Sequence, residues 1–254
     1  MDLVDTHVHL DDPAFDQDRA AVVARAKDAG VRRQVVPAID AATWPRLRDA
    51  CAGDEGLYAA YGLHPLLLAD HRPEHLDALR EWIGRERPVA VGECGLDYYV
   101  DGLDRETQRR YFEAQLRIAR EFDLPLVVHA RRAVEDVIIA VRKVGGLRGV
   151  VHSYGGSPEQ ARQLHEAGFL LGFGGPATYP GAHRIRKVVA SVPLEQLLLE
   201  TDAPDQPLCG HQGERNEPCR LPAVLAAIAA VRGEDPEVIA QASTANAERL
   251  FGRL

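Results

Sequence analysis

Short apolar runs and longer stretches of helical spacing alternate along the chain about eight times. The runs fall at 3–9, 34–39, 57–64, 89–97, 126–129, 149–154, 169–174 and 197–202. Several are nearly unbroken, as in Leu126-Val127-Val128 and Leu197-Leu198-Leu199. Strands buried on both faces have this pattern, which predicts a parallel sheet covered by helices. Between the runs, 18–29 carries Ala and Val at helical spacing and stops at Gly30, a residue suited to ending a helix. Residues 104–122 set Tyr111, Phe112, Gln115, Leu116 and Ala119 on about one face, with charge opposite. Ser157-Pro158 reads as a helix start, with serine as cap and proline in the first turn. Two closing helices are predicted at 222–232 and 236–251. Eight strand–helix units without a low-complexity linker predict an α/β fold, a single TIM-type (β/α)8 barrel domain over 1–254. A doubly wound open sheet is the alternative, because periodicity does not reveal closure.

Composition changes this picture little. The chain has 254 residues, 46% hydrophobic and 27% charged, the balance of a globular protein. A formal net charge of -8 argues against wrapping duplex DNA with the whole surface, although bound cations and local arginines can reverse the sign within a cleft. Cys51, Cys94, Cys209 and Cys219 form neither a metal-binding C-x-x-C pair nor a dense disulfide frame, so free thiols are expected. No stretch reads as a signal peptide or a membrane span, and a cytoplasmic location with no membrane partner is expected.

The chemistry lies where polar residues interrupt the ends of the apolar runs. His7 and His9 close the first, His64 the third, His129 the fifth and His152 the sixth, while Glu200 and Asp202 close the eighth. Glu93 falls late in the fourth, where a carboxylate in an apolar strand needs a partner or a metal. In a barrel these ends converge on one mouth, the usual place for an active site. Imidazoles and carboxylates are the donors that suit divalent first-row metals. Each residue alone has an ordinary explanation, a satisfied core histidine or a turn aspartate. So many at strand ends together do not. His71, His75, His165, His183 and His211 fall in predicted helices or loops and are read as surface residues.

These residues lie in segments that give the chain a family likeness. They are Val4-Asp5-Thr6-His7-Val8-His9-Leu10, Gly62-Leu63-His64-Pro65, Val91-Gly92-Glu93-Cys94-Gly95-Leu96-Asp97-Tyr98 and His129-Ala130-Arg131-Arg132. They continue as Val151-His152-Ser153-Tyr154-Gly155-Gly156, Leu199-Glu200-Thr201-Asp202-Ala203-Pro204 and Arg215-Asn216-Glu217-Pro218. Together they resemble the TatD family of metal-dependent deoxyribonucleases, within the amidohydrolase superfamily. Two segments depart from the family pattern. His152-Ser153-Tyr154-Gly155-Gly156 replaces the more usual His-x-Phe-Ser-Gly, and Asp205-Gln206-Pro207-Leu208 follows the Asp-Ala-Pro turn. The second is similar to a subgroup known only as uncharacterised metal-dependent hydrolases.

The resemblance implies two divalent ions, zinc, magnesium or manganese. His7, His9 and Asp202 would hold one, His129 and His152 the other, and Glu93 would bridge them. It implies Asp202 as the base that takes a proton from water, and His64 and Arg131 as phosphate contacts. Glu200 would orient a ligand or water. Tyr98, Tyr99, Arg132 and Arg215 are further candidates for contact with a substrate strand. The leading function is a nuclease trimming single-stranded DNA from its 3′ end. The alternatives are a deacylase, esterase or amidase acting on acylated tRNA or a small molecule, and a catalytically silent binding protein, against which the intact ligand set argues.

Overall fold

The computed structural model describes residues 2–252 and residue 254; Met1 and Arg253 of the expected 1–254 span lie outside the described residues. Eight parallel strands are hydrogen-bonded in sequence order. They are β1 (Leu3–Asp5), β2 (Val31–Pro37), β3 (Leu57–Tyr61), β4 (Ala90–Asp97), β5 (Leu126–Arg131), β6 (Gly149–Val151), β7 (Phe169–Phe173) and β8 (Leu197–Leu199). Thr6 donates both its main-chain N–H (3.1 Å) and its hydroxyl (3.0 Å) to the Leu199 carbonyl, and Asp202 N–H donates to the His7 carbonyl at 2.9 Å. The last strand thereby meets the first, giving a (β/α)8 barrel and not an open sheet.

Helices α1 (Arg19–Asp28), α2 (Trp44–Ala52), α3 (Glu74–Glu86), α4 (Arg105–Glu121), α5 (Val134–Val144), α6 (Pro158–Glu166), α7 (His183–Ser191) and α8 (Leu221–Arg232) alternate with the strands, and α9 (Pro236–Phe251) follows. Ser157 caps α6 as its sequence suggests. Its hydroxyl accepts from Gln160 N–H, and the Gln160 carbonyl oxygen accepts from Ser157 N–H, both at 3.1 Å. The four cysteines are free thiols. Among the described residues no helix is long and apolar enough to cross a membrane.

One buried cluster takes a single residue from every strand: Val4, Val35, Ala60, Ala90, Val127, Val150, Leu170 and Leu198. These side chains fill the barrel interior, and α9 adds Ala247, Leu250 and Phe251. Their neighbours Leu126, Val128, Leu197 and Leu199 belong to the larger layer between strands and helices. Side chains alternate along a strand, so the interior position above each filler comes two residues later. Above Val127, Val150 and Leu198 that rule gives His129, His152 and Glu200.

Above Leu170 it gives Gly172, whose missing side chain leaves the space that the Glu200 carboxylate occupies. The backbone of Gly172 is not in the left-handed region, so Gly172→Ala tests packing alone. The added methyl group should destabilise the protein by about 1–3 kcal/mol, the usual range for overpacking. Urea unfolding measures this, and an unchanged midpoint would show that Glu200 is not fixed in that space.

Candidate metal centre and cleft

Four of the runs leave the ladder earlier than the apolar pattern suggests, while β4 reaches Asp97 and β5 extends to Arg131. β1 stops at Asp5, β3 at Tyr61, β6 at Val151 and β8 at Leu199. His7, His9, His64, His152, Glu200 and Asp202 therefore stand just past the strands, while Glu93 and His129 remain within theirs. Their backbones stay tethered all the same. His9 N–H donates to the Ala203 carbonyl (2.8 Å), His64 N–H to that of Ile39 (2.8 Å) and His152 N–H to that of Val128 (3.0 Å).

Glu93 occupies the centre and is 1% exposed. Its Oε1 lies 2.8 Å from His152 Nε2, 3.0 Å from His64 Nε2 and 3.1 Å from His129 Nδ1. Its Oε2 lies 3.2 Å from His7 Nε2 and 3.5 Å from His9 Nε2. Asp202 Oδ1 faces the same two rings at 3.4 and 3.6 Å. The rings of His7 and His152 stack at 3.8 Å and join the two groups.

The hydrogen bonds around the cluster decide which ring atoms carry lone pairs. His129 Nε2 sits 2.8 Å from Asp97 Oδ2, so that nitrogen donates and Nδ1 faces inward. His9 Nδ1 donates to the Pro37 carbonyl at 3.2 Å, which leaves Nε2 facing inward. His64 is the opposite case. Its Nδ1 accepts from Leu66 N–H at 3.2 Å, which leaves the proton on Nε2, pointing at Glu93. His64 is thus a hydrogen-bond donor to the centre, unlike the rings that offer it lone pairs.

Facing nitrogens of His7 and His9, and of His129 and His152, are each 3.2 Å apart. Lone pairs at that separation repel unless a proton or a metal cation lies among them, so this donor set fits a divalent metal. The electrostatics agree. Burial pulls His152 down, but the charge and hydrogen bond of Glu93 outweigh it and push the imidazole up to about 10. Burial pushes Glu93 up, yet the surrounding histidines hold it well below the usual carboxylate range. Both shifts express one demand for positive charge.

Several supporting residues carry no signal in the apolar pattern. The Asp5 carboxylate accepts from Thr201 N–H (3.0 Å), the Thr201 hydroxyl (2.6 Å) and His7 N–H (3.3 Å), tying the two loops that bear His7 and Asp202. Burial pushes Asp5 up to about 7. On α4, Gln115 pairs with both main-chain groups of Leu63 (2.8 and 3.1 Å) and Gln108 with both of Asp97 (2.8 and 2.9 Å). Burial alone would raise Asp97, but hydrogen bonds from His129 and from the Tyr99 and Val100 amides hold it at about 2. Glu200 lies below the centre, pushed up to about 8 by burial, and its Oε1 accepts from Ser153 N–H at 2.5 Å.

The centre opens into a cavity of about 960 Å³ whose wall includes Tyr99, Arg131 and Arg132. A family model described as TatD related DNase matches residues 4–252. The chain belongs to the TatD family. It is 40% identical to the uncharacterised metal-dependent hydrolase YjjV of Escherichia coli K12, over 98% of this chain and 97% of that protein. It is 38% identical to the uncharacterised metal-dependent hydrolase YabD of Bacillus subtilis 168, over 98% of each. The crystal structure of the E. coli YjjV TatD homologue superposes with a TM-score of 0.94 at 39% identity, covering 98% of both chains.

Three expectations for this TatD-family chain need correction. Tyr98 does not reach the cavity: its hydroxyl donates to Asp136 Oδ2 at 2.6 Å, and Arg105 and Arg109 lie over its ring at 4.4 and 5.8 Å. Tyr99, 47% exposed, lines the cavity instead. Arg215 is no cavity residue either. It pairs with Asp18 (2.7 and 2.8 Å) and Glu217 (2.8 Å) and covers the ring of Phe15. The adjacent Asn216 is buried, its amide donating to the carbonyls of Thr201 and Asp205 at 2.9 Å each. The segment thus braces the Asp202 loop. Finally, His71 is not a surface residue. It is buried against Tyr111, and its Nε2 donates to the His64 carbonyl at 2.8 Å.

Arg215→Ala should therefore lower the melting temperature. The Arg215 and Arg25 guanidiniums hold Asp18 at about 2, below its ordinary 3.8. A depressed acid contributes stability that is complete above 3.8 and lost as pH falls through about 2. Arg215 also lowers Glu217 from its ordinary 4.5, so the gap between wild-type and variant melting temperatures should be constant above 4.5 and narrow as pH falls toward about 2. A gap that widened on acidification would contradict the ion-pair role.

Proposed function

We propose that this TatD-family metal-dependent hydrolase holds two divalent cations and hydrolyses phosphodiesters, removing nucleotides from the 3′ end of single-stranded DNA. The observation that carries this reading is the division of Glu93, with Oε1 turned to His129 and His152 and Oε2 to His7 and His9. One carboxylate oxygen for each group is the arrangement a bridging ligand requires. His7, His9 and Asp202 would form one site and His129 and His152 the other. When bound, such a pair supplies electrophilic polarisation of the phosphoryl group and lowers the pKa of water.

The chain's own groups have distinct tasks in this reading. Asp202, raised by burial, takes the proton of the attacking water. His64, whose tautomer puts a proton on Nε2, contacts the phosphate as a hydrogen-bond donor beside its bond to Glu93 Oε1. Glu200 acts below the centre, where its carboxylate holds the Ser153 amide and so the turn after His152.

The cavity wall favours a nucleic acid. The guanidinium of Arg131 lies 3.6 Å and that of Arg132 4.6 Å from the centroid of the Tyr99 ring. Neither forms an ion pair among the described residues, so both are free for phosphates, while the tyrosine offers a face to a base. Few cationic groups in a chain of net charge -8 suit a short single strand better than a duplex.

The test is a time course with single-stranded oligonucleotides labelled at the 5′ end, in magnesium or manganese. A ladder shortening from the 3′ end is expected, and Asp202→Asn should slow it by orders of magnitude while the protein stays folded. Glu93→Gln should lose metal from both groups by elemental analysis. Internal cuts, or faster loss of duplex, would contradict the exonuclease reading. Hydrolysis of an ester or amide with no DNA cleavage would replace it.

A further inference from the structure

The two segments in which the sequence departs from the family pattern touch each other beside the metal centre. Gln206 Nε2 donates to Asp202 Oδ2 at 2.5 Å, and Ser153 Oγ lies 2.9 Å from Gln206 Oε1. The direction of these bonds is fixed by chemistry. An ionised carboxylate only accepts, so the Gln206 amide must present its NH2 to Asp202 and its carbonyl to Ser153. The Ser153 hydroxyl therefore donates.

From this chain of contacts we infer that Ser153 and Gln206 are positioning residues, a relay that sets the rotation of the Asp202 carboxylate. With Oδ2 held by Gln206, Oδ1 is left facing His7 and His9. Ser153 fixes which way the Gln206 amide is turned; without that donor the amide loses its reason to keep NH2 on Asp202. The backbone reinforces the arrangement. Ser153, Asp202 and Gln206 all have left-handed φ angles, of 45°, 57° and 49°. Three non-glycine residues in that region mark two tight, matched turns. Asn216 holds the second turn by donating to the carbonyls of Thr201, Asp205 and Gln206.

Ser153 also reaches the other carboxylate that follows β8, since its N–H donates to Glu200 Oε1. A single residue after β6 thus governs both acidic groups at the end of β8, one through its main chain and one through its hydroxyl. Side-chain partners of metal ligands commonly change metal affinity or activity by about 10-fold to 100-fold when removed. The relay predicts an effect of that size from residues that hold Asp202 and do not themselves face the metal.

The inference rests on the reading of Asp202 as a metal ligand, and the experiment separates the two. Zinc affinity is measured by competition with a chelator for wild type, Ser153→Ala, Gln206→Met and the double variant. Methionine keeps the length of glutamine but cannot donate. Gln206→Met should weaken zinc binding about 10-fold to 100-fold, with Ser153→Ala weaker by a smaller factor. Because Ser153 acts through Gln206, the double variant should bind zinc no worse than Gln206→Met alone. Turnover of bis(4-nitrophenyl) phosphate should lose kcat with KM little changed. Melting of the metal-free proteins controls for folding. Wild-type affinity in Gln206→Met overturns the relay while leaving the metal reading intact. Additive losses in the double variant overturn it too, by giving the two residues separate roles. A wild-type protein that binds no zinc, magnesium or manganese overturns both.

Discussion

A carboxylate sealed at the mouth of an apolar barrel dominates this structure. Glu93 is desolvated on all sides, and an isolated buried charge of that kind is severely unfavourable. Five imidazoles converge on it, and their positions dictate much of the surrounding construction. The barrel can deliver them because parallel strands expose only their ends at one mouth. Interior fillers such as Val127, Val150 and Leu198 close the barrel below, so the next interior position on each strand is the first that can meet a ligand. On β5, β6 and β8 the alternation that buries Val127, Val150 and Leu198 turns His129, His152 and Glu200 inward two residues later, whereas Glu93 comes three residues after Ala90, where the register of β4 shifts.

The imidazoles are held by groups that do not themselves face the centre. Gln108 and Gln115, two turns apart on α4, replace missing ladder partners at the ends of β4 and β3. Each satisfies a main-chain donor and acceptor that would otherwise be stranded where the sheet opens. Asp5 and Asn216 do the same for the loops beyond β1 and β8. This framework is a network of side chain to backbone hydrogen bonds that fixes the main chain on either side of the candidate ligands. It follows that the ligand groups are preorganised, with the rotation of individual carboxylates left as the finer adjustment.

How much of this could be read from the sequence follows the same physics. Apolar runs located all eight strands, because strands buried on both faces leave a strong pattern. They overran the strand ends at His9, His64, Tyr154 and Asp202, because burial continues past the point where the ladder stops. Chain closure was invisible to periodicity and rests on bonds such as Thr6 to Leu199, 193 positions apart. The clustering of His7, His9, Glu93, His129, His152 and Asp202 was legible, since polar residues ending apolar runs are anomalous. The roles of Gln108, Gln115 and Asn216 were not, because a buried amide bonded to distant main chain looks like any surface amide in sequence. Tyr98 and Tyr99 could not be told apart without knowing which side of the turn faces Asp136. Arg215 resembled a substrate contact because its partners, Asp18 and the ring of Phe15, lie about 200 positions away.

Two arginines on the cavity wall are held differently from most of the others. Most guanidiniums are tied to carboxylates at the periphery: Arg25 and Arg215 near α1, Arg80 against Glu121, Arg162 against Glu159 and Glu166. Such pairs contribute little field beyond their own neighbourhood, since salt screens them and their charges cancel. Arg131 and Arg132 instead rest on an aromatic ring, which orients a guanidinium without neutralising it. They stand immediately after His129, so the strand that delivers an imidazole to the centre also delivers positive charge to its rim. Asp11, Asp12, Glu135 and Asp205 line the same cavity, so these two guanidiniums act locally within a chain of net charge -8. Under the proposed phosphodiester reading, an anionic ligand would meet these guanidiniums at short range, where hydrogen-bond geometry and shape select among candidates more sharply than long-range charge does.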